Sequence, residues 1–291
     1  MKDQNYLSPP EIAEATIEAA IKKSKQPPIN LFLLGILAGA FIAFAAEGSN
    51  MAAFNLFAKP ETYGLGKTLA GVVFGTGLMF VLIAGGELFT GNTMMIAAVL
   101  DGKIKISSML RNWFFVYFGN FIGSVLIAYL MNKTGLFHSG KEVLGAVTIK
   151  IAAYKVGLTF SQAFYLGVLC NCLVCLAVWM AYGAKDITGK IFAIFFPIWL
   201  FVTSGFEHSV ANMYYIPAGI LAKSDVSLVE AARQLGVTAE KLEHLNWTTF
   251  VTANLIPVTL GNIVGGGFCV AAIYWFVYMK NSKKVADNAE T

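Results

Sequence analysis

The sequence predicts an all-α membrane protein with six transmembrane helices. Hydrophobic residues fill 57% of its 291 positions and charged residues only 13%, whereas a soluble domain carries about 25% charged residues. Six apolar runs reach the length of about 20 residues that crosses a bilayer. They begin at Leu31, Leu65, Trp113, Leu158, Ile191 and Trp247. Most of the surface must therefore face lipid, and the mild net charge of +4 does not suggest nucleic acid binding.

The segment before the first span, residues 1–28, predicts a short amphipathic helix at the cytoplasmic membrane surface. Ser8 and Glu11 have the spacing of a capping box, and Pro9 fits the first helical position. The alternative is a solvated tail. The segment contains no apolar core of a signal peptide, so the mature chain is expected to start at Met1.

The distribution of lysine and arginine predicts the orientation. The loop after the second span is the densest in positive charge, and it lies on the same side as the N-terminal lysines. An even number of spans then places both termini in the cytoplasm, in the cell (inner or plasma) membrane. The predicted divisions are the N-terminal helix (1–28), a channel domain (29–280) with a polar extracytoplasmic insert (223–246), and a cytoplasmic tail (281–291).

Two spans, the second and the fifth, are interrupted. The second contains Glu87 and the fifth contains Glu207, each after a glycine-containing break and five residues before an asparagine, Asn92 or Asn212. Freed backbone groups and charge are costly in hydrocarbon. We therefore expect both segments to line a cavity inside the protein.

Matches between the two halves indicate an internal repeat. The Gly-Asn pair at Gly119 in span three matches the pair at Gly261 in span six, and Gly35 in span one matches Gly167 in span four. Two three-span units must cross the membrane in opposite directions. Inverted repeats with broken helices place a substrate path at their interface, near the bilayer midplane.

The polar residues at the breaks are the first candidates for function. Glu87 and Glu207 either form a proton relay or cation site, or support the breaks by accepting hydrogen bonds from freed backbone; their equivalent positions favour support. His208 is the only histidine inside a span, and it could titrate near neutral pH. Its place beside a break favours a pore role, and Thr90 offers a hydroxyl at matching depth.

Three further residues remain open between a structural and a pore role. Asn171 and Asn262 either join helices through hydrogen bonds or face the pore. Lys155, before span four, either reaches the membrane interface or attracts anions at a vestibule. The four cysteines lack paired partner ligands, so neither a metal nor a cofactor is predicted, and a redox subunit is disfavoured.

Three segments resemble the signatures of the formate–nitrite transporter family. They cover residues 82–91, 167–177 and 204–213, with Cys172 standing where the family has a bulky apolar residue. The resemblance extends from about residue 8 to residue 280. It implies an aquaporin-like protomer, a homopentamer in membrane lipid with one pore per protomer, and no enzyme activity. The implied permeants are small monovalent anions with protons: formate first, and also nitrite or hydrosulfide.

The same resemblance implies roles for individual residues. His208 and Thr90 would lie between two apolar constrictions, Asn171 and Asn262 would bind the permeant, and Lys155 would lie in the outer vestibule. The constrictions would be formed by Leu78 on the cytoplasmic side and by Phe89, Val174 and Phe201 on the outer side. The N-terminal helix resembles a segment that gates the pore as pH falls.

These features together suggest passage of a weak acid. Lys155 draws in the anion, His208 or water supplies a proton, and the neutral acid crosses the constriction without the cost of desolvating a charge. The alternatives are a hydrosulfide-selective channel, a neutral-solute channel for water or glycerol, and an ammonium channel. Paired Asn-Pro-Ala segments, expected in a neutral-solute channel, are absent from the sequence, and an ammonium channel should carry more than one pore histidine.

Overall fold

The computed structural model describes residues 5–280, and helices carry nearly all of this part of the chain. In chain order they are α1 (Pro9–Ser24), α2 (Pro28–Phe57), α3 (Pro60–Gly85), α4 (Phe89–Leu100), α5 (Ile106–Lys133), α6 (Val143–Val156), α7 (Phe160–Gly183), α8 (Ile187–Ser204), α9 (Ser209–Ala222), α10 (Val226–Gln234), α11 (Ala239–His244) and α12 (Trp247–Lys280). Between residues 5 and 280 no strand forms, and one isolated bridge joins Tyr6 to Ala184.

Six of these helices are long and apolar enough to cross a membrane, namely α2, α3, α5, α7, α8 and α12. At 1.5 Å per residue, even the 18 residues of α8 extend about 27 Å, close to the thickness of the hydrocarbon core. The predicted six-span, all-α fold is confirmed. The predicted tail (281–291) lies outside the described residues.

The two halves of the chain pack in the same way, as the predicted repeat requires. α2 crosses α5, and α7 crosses α12. At both crossings a glycine lets the backbones touch: a β-carbon on Gly35 would lie 2.9 Å from the carbonyl oxygen of Val116, and one on Gly167 would lie 2.8 Å from that of Val258. The matched glycines therefore mark equivalent helix crossings, and the inverted three-helix repeats are confirmed.

Both predicted interruptions are present. α3 ends at Gly85, and Gly205 directly follows the last residue of α8. The φ angles of these two glycines, +104° and +77°, lie in the region that favours glycine. A short extended segment follows each glycine, and the chain then resumes as the half-helices α4 and α9. α3 and α8 also pack against each other, so the two breaks belong to one central region.

The N-terminal helix α1 begins as the sequence predicts, with the Ser8 and Glu11 capping box and Pro9 in its first turn. Its apolar face is buried against α7, α4 and α12. Arg111 donates hydrogen bonds from Nη2 to the carbonyl oxygens of Ser24 and Gln26, at 2.6 and 3.2 Å. α1 is therefore fastened across one end of the helix bundle.

The predicted insert (223–246) contains α10 and α11, which pack on α6 at the opposite end of the bundle. The side chain of Asp225 caps α10 by accepting hydrogen bonds from the backbone N–H groups of Ser227 and Leu228. The Ser227 hydroxyl also donates to Asp225, and this hydrogen bond, with those from the backbone, lowers the pKa of the Asp225 carboxyl. Lys223 ties the insert together by donating to the carbonyl oxygens of Leu242 and Leu245.

Candidate functional site

The two breaks meet at a pair of polar side chains, one from each repeat. Nε2 of His208 lies 2.9 Å from Oγ1 of Thr90, and both side chains are buried. Thr90 lies in the first turn of α4, and His208 is the residue that caps α9. The structure thus brings together the two residues that the sequence places at equivalent depth.

The second hydrogen bond of His208 determines which ring nitrogen carries the proton. Nδ1 accepts the backbone N–H of Ala211 at 3.0 Å, so Nδ1 has no hydrogen in this geometry. A neutral ring must then hold its proton on Nε2 and donate it to Thr90. The hydroxyl hydrogen of Thr90 remains available for a third partner.

Glu87 lies in a polar network at the α1 end of the bundle. Its Oε2 accepts from Nζ of Lys23 at 2.8 Å and from Nδ2 of Asn92 at 2.7 Å, and Asn92 also donates to Oδ1 of Asn112 at 2.8 Å. Burial acts to lower the pKa of Lys23, but the charge of Glu87, the nearby Tyr182 and the hydrogen bond to Glu87 together raise the pKa above its ordinary value. Lys23 is therefore held charged against Glu87.

Glu207 repeats this network at the other end. Its Oε1 accepts from Nζ of Lys155 at 2.7 Å, and its Oε2 accepts from Nδ2 of Asn212 at 2.6 Å. Asn212 in turn donates to Oδ1 of Asn254 at 2.7 Å. The two networks are equivalent, since in each a glutamate accepts hydrogen bonds from one lysine and one asparagine, and this asparagine donates to a second asparagine. Both carboxylates accept hydrogen bonds from side chains, and not from the backbone N–H groups that the sequence led us to expect.

The freed backbone is held by two equivalent asparagines instead. Nδ2 of Asn120 donates to the carbonyl oxygens of Gly35 and Glu87 at 2.8 and 2.9 Å, and its Oδ1 accepts from the N–H of Phe89 at 2.9 Å. Asn262 makes the corresponding contacts in the second repeat. Each amide thus replaces hydrogen bonds that the interrupted helix cannot make.

Asn171 connects the repeats close to the central pair. Its Nδ2 lies 3.1 Å from the carbonyl oxygen of Thr90, 3.1 Å from Oγ1 of Thr93 and 2.6 Å from the carbonyl oxygen of Asn262. Its Oδ1 is buried and has no hydrogen-bond partner in the described part of the chain. That oxygen is the part of Asn171 still able to accept a hydrogen bond.

A cavity lies on each side of the central pair. The Lys155-side vestibule, of about 190 Å³, has His208 and Phe201 in its wall, and the smaller Lys23-side vestibule has Leu78 and Leu88 in its wall. Two of the four predicted constriction residues, Leu78 and Phe201, therefore face a vestibule. Phe89 and Val174 are buried and line neither cavity; the Phe89 ring packs on those of Trp113 and Tyr117.

Several residues of the site were not predicted from the sequence. Lys23 could have been found from the repeat, because Lys23 and Lys155 each precede the matched glycine, Gly35 or Gly167, by twelve residues. Phe74, whose ring meets that of Phe201 edge-on at a centroid distance of 5.5 Å, looks like any apolar residue of a span.

A third buried acid, Glu47, is not indicated by the sequence pattern. Glu47 of α2 is buried and accepts a short hydrogen bond from the hydroxyl of Tyr214 in α9. No local pattern links these two residues, which are 167 positions apart in the chain. Among residues 5–280, no three His, Cys, Asp or Glu side chains are grouped so that they could hold a metal ion.

Comparison with known proteins agrees with this architecture. The family model described as formate/nitrite transporter matches residues 10–276. The formate channel FocA of Escherichia coli K12 is 37% identical over 96% of both chains, and a probable formate transporter of Methanothermobacter thermautotrophicus is 42% identical over 95% of this chain and 98% of its own. A solved pentameric formate channel with formate bound superposes with a TM-score of 0.75, at 40% identity, over 87% of this chain and 98% of its own.

Proposed function

The chain belongs to the formate/nitrite transporter family, and we propose that it conducts formate across the cell membrane. It is a multi-pass membrane transport protein and not an enzyme. Its curated relatives that are named formate channels match it over most of their length, which supports formate as the first permeant to test.

The observation that carries the proposal is the central pair of Thr90 and His208. Among the described residues, this pair lies where the two interrupted helices meet, with a cavity on either side. Because Nε2 of neutral His208 donates to Thr90, the hydroxyl hydrogen of Thr90 is free to donate to a carboxyl oxygen of the permeant. Oδ1 of Asn171 can accept a hydrogen bond from the hydroxyl of the protonated acid.

The charge of the Lys155-side vestibule supports an anion over a cation or a neutral solute. Three lysines line this cavity, Lys67, Lys150 and Lys155, against a single acid, Glu207. An excess of positive charge in a partly enclosed cavity raises the local concentration of anions and repels ammonium. Water and glycerol gain nothing from such charge.

The apolar passage beyond the vestibule favours a neutral species in transit. A bare anion entering that passage would lose its hydration at a cost of several kcal/mol. A weak acid avoids the cost by taking up a proton in the vestibule and releasing it on the far side. His208 acts in this scheme as an uncharged hydrogen-bond partner, because a proton on Nδ1 would break its bond with Ala211.

The proposal includes several features that follow from the family. The protein forms a homopentamer with one pore per protomer, and Leu78 and Phe201 narrow that pore on the two sides of the central pair. Asn262 acts on the permeant through Asn171, which it contacts. Both termini lie in the cytoplasm, so α1 covers the cytoplasmic mouth. Nitrite and hydrosulfide, being weak-acid anions of similar size, share the pathway with lower flux.

The test is flux into proteoliposomes that contain the purified protein. Uptake of formate, nitrite and hydrosulfide is measured at two pH values, with ammonium and glycerol as the competing classes. We expect formate to enter fastest, and more rapidly at the lower pH because protonation favours passage. Faster entry of ammonium or glycerol than of every anion would refute the proposal.

A further inference from the structure

The Lys155-side vestibule is lined by more lysines than are paired with carboxylates. The three lysines come from different places: Lys67 from α3, and Lys150 and Lys155 from α6. Only one of them, Lys155, forms an ion pair within residues 5–280. The question is which ammonium group meets the anion first.

Lys155 already forms an ion pair with Glu207. Its Nζ lies 2.7 Å from Oε1 of Glu207 and 5.3 Å from the ring centre of Tyr215, and its side chain is only 12% exposed. Removing it from Glu207 would leave a buried carboxylate without a counter-charge, which is strongly unfavourable. Lys155 therefore serves to neutralise Glu207, and the pair as a whole attracts anions weakly.

Lys67 is placed differently. In the described part of the chain its Nζ makes no hydrogen bond and no ion pair; its nearest aromatic ring, that of Tyr63, is centred 5.8 Å away. A β-carbon on Gly205 would lie 3.7 Å from this nitrogen. Gly205 follows the last residue of α8 and lies three positions before His208, so the ammonium group of Lys67 lies beside the break itself.

A second donor in the same wall also lacks an acceptor. Asn50 of α2 lines the vestibule and is 2% exposed, and its Nδ2 has no hydrogen-bond partner among residues 5–280. A buried donor left unpaired costs free energy, so such groups are normally satisfied by a partner in the working protein. An amide N–H group and an ammonium, both unpaired, call for a ligand rich in acceptors.

We propose that Lys67 and Asn50 form an anion-binding subsite in the Lys155-side vestibule, where a small monovalent anion is held before it reaches Thr90 and His208. A carboxylate such as formate has two acceptor oxygens, one for each donor. That the bound anion is formate depends on the proposed function. Its anion chemistry rests on the two free donors.

The first test separates binding from passage. The half-saturation concentration and the maximal flux of formate are measured for Lys67→Gln, Lys67→Arg and Lys150→Gln. Lys67→Gln is expected to raise the half-saturation concentration about tenfold, the effect of losing one charged hydrogen bond, with the maximal flux within about twofold of wild type. Lys67→Arg keeps the charge and should recover most of the affinity.

Lys150→Gln is the matched control, because it removes the same charge from the same cavity. If it raises the half-saturation concentration as much as Lys67→Gln, general charge and not a subsite is responsible, and the proposal is wrong. An unchanged half-saturation concentration in Lys67→Gln has the same consequence. Asn50→Leu should raise this concentration by a smaller factor than Lys67→Gln.

The second test does not depend on transport. Crystals of the wild-type protein are soaked in bromide, whose position is found from anomalous scattering. We expect a peak within hydrogen-bond distance of Nζ of Lys67 and its loss in Lys67→Gln. A peak at Lys150 or Lys155 instead, or no peak in the vestibule, contradicts the proposal.

The two tests together distinguish the subsite from the proposed function. Bromide at Lys67 in a protein that passes no formate leaves the subsite standing and refutes formate conduction. Formate conduction that is indifferent to Lys67, in a protein without bromide at Lys67, refutes the subsite alone.

Discussion

Nε2 of His208 and Oγ1 of Thr90 lie 2.9 Å apart, although the two residues come from opposite repeats and are separated by 118 positions in the chain. Because Nδ1 of His208 is occupied by Ala211, the polarity of this hydrogen bond is set, with histidine donating and threonine accepting. In the proposed function, the free hydroxyl hydrogen of Thr90 is the donor that the permeant meets between the two vestibules.

Replacing Thr90 by valine, which has nearly the same shape, should therefore lower the maximal flux of formate. The loss of one hydrogen bond in an apolar passage is worth about 1–3 kcal/mol, or about five- to 150-fold in rate. Flux into proteoliposomes measures the effect. Thr76→Val, at an exposed threonine whose hydroxyl bonds Val73, is the control and should leave flux unchanged. Equal flux in Thr90→Val and wild type would remove Thr90 from the pathway.

Replacing Glu207 by glutamine should destabilise the protein by about 3 kcal/mol, since it leaves the ammonium of Lys155 buried without its counter-charge. Glu87→Gln should cost less, because its partner Lys23 is 21% exposed, compared with 12% for Lys155. Thermal unfolding in detergent measures both. The double variant Lys155→Met/Glu207→Gln should be more stable than the sum of its single variants predicts. Additive losses would contradict a direct pairing.

Replacing Lys23 by alanine should release α1 from the bundle, because the Lys23–Glu87 pair is one of its fastenings. Hydrogen exchange along α1 is the measurement. The pKa of Lys23 is raised in the folded protein, so the pair's contribution is complete below the ordinary lysine pKa and is lost only as pH rises through the raised value.

Exchange in the wild-type α1 should consequently be unaffected by titration of Lys23 between about pH 6 and about pH 9. Release of α1 within that interval on raising the pH would show that the lysine is not held charged. Lys25→Ala, at the residue that follows α1 and makes no ion pair among residues 5–280, is the control and should leave the exchange unchanged.

Replacing Asn262 by leucine removes two hydrogen bonds to the backbone of the break, at Glu207 and Ser209, and one to Gly167 of α7. This change should destabilise the protein by about 3 kcal/mol. Asn120→Leu should have a similar effect, because its contacts are equivalent. Thermal unfolding and the half-saturation concentration of formate are measured on the folded fraction. An unchanged half-saturation concentration assigns Asn262 to the scaffold, whereas a large increase assigns it to the permeant.

The sequence was most informative where membrane physics restricts the choice of residues. Apolar length predicted the six spans. A glutamate one or two residues after a glycine predicted each interruption, because few residues are tolerated at that depth. His208 and Thr90 followed from the same argument. The repeat predicted that the halves would be equivalent, and the matched Lys–Glu–Asn networks show how far the equivalence extends.

The remaining parts of the site depend on contacts between distant segments. Whether Lys67 faces the vestibule or the membrane interface depends on how α3 is rotated against α8. Whether Asn50 faces the vestibule likewise depends on how α2 is packed. Asn50 stands out because no atom of residues 5–280 accepts a hydrogen bond from its Nδ2. The pairing of Glu47 with Tyr214 likewise requires α2 and α9 to be packed together.

The two equivalent ion pairs differ in one respect that concerns current and not stability. Lys155 belongs to α6, which is packed into the bundle, whereas Lys23 belongs to α1, which only lies across it. If α1 left the bundle, Glu87 would remain without its lysine at one mouth of the proposed pore, while the other mouth would stay cationic. Anions would then be attracted from one side and repelled from the other. A pore whose two mouths have opposite charge conducts anions better in one direction than in the other. The position of α1 would therefore determine both whether the pore is covered and which direction of anion flow it favours.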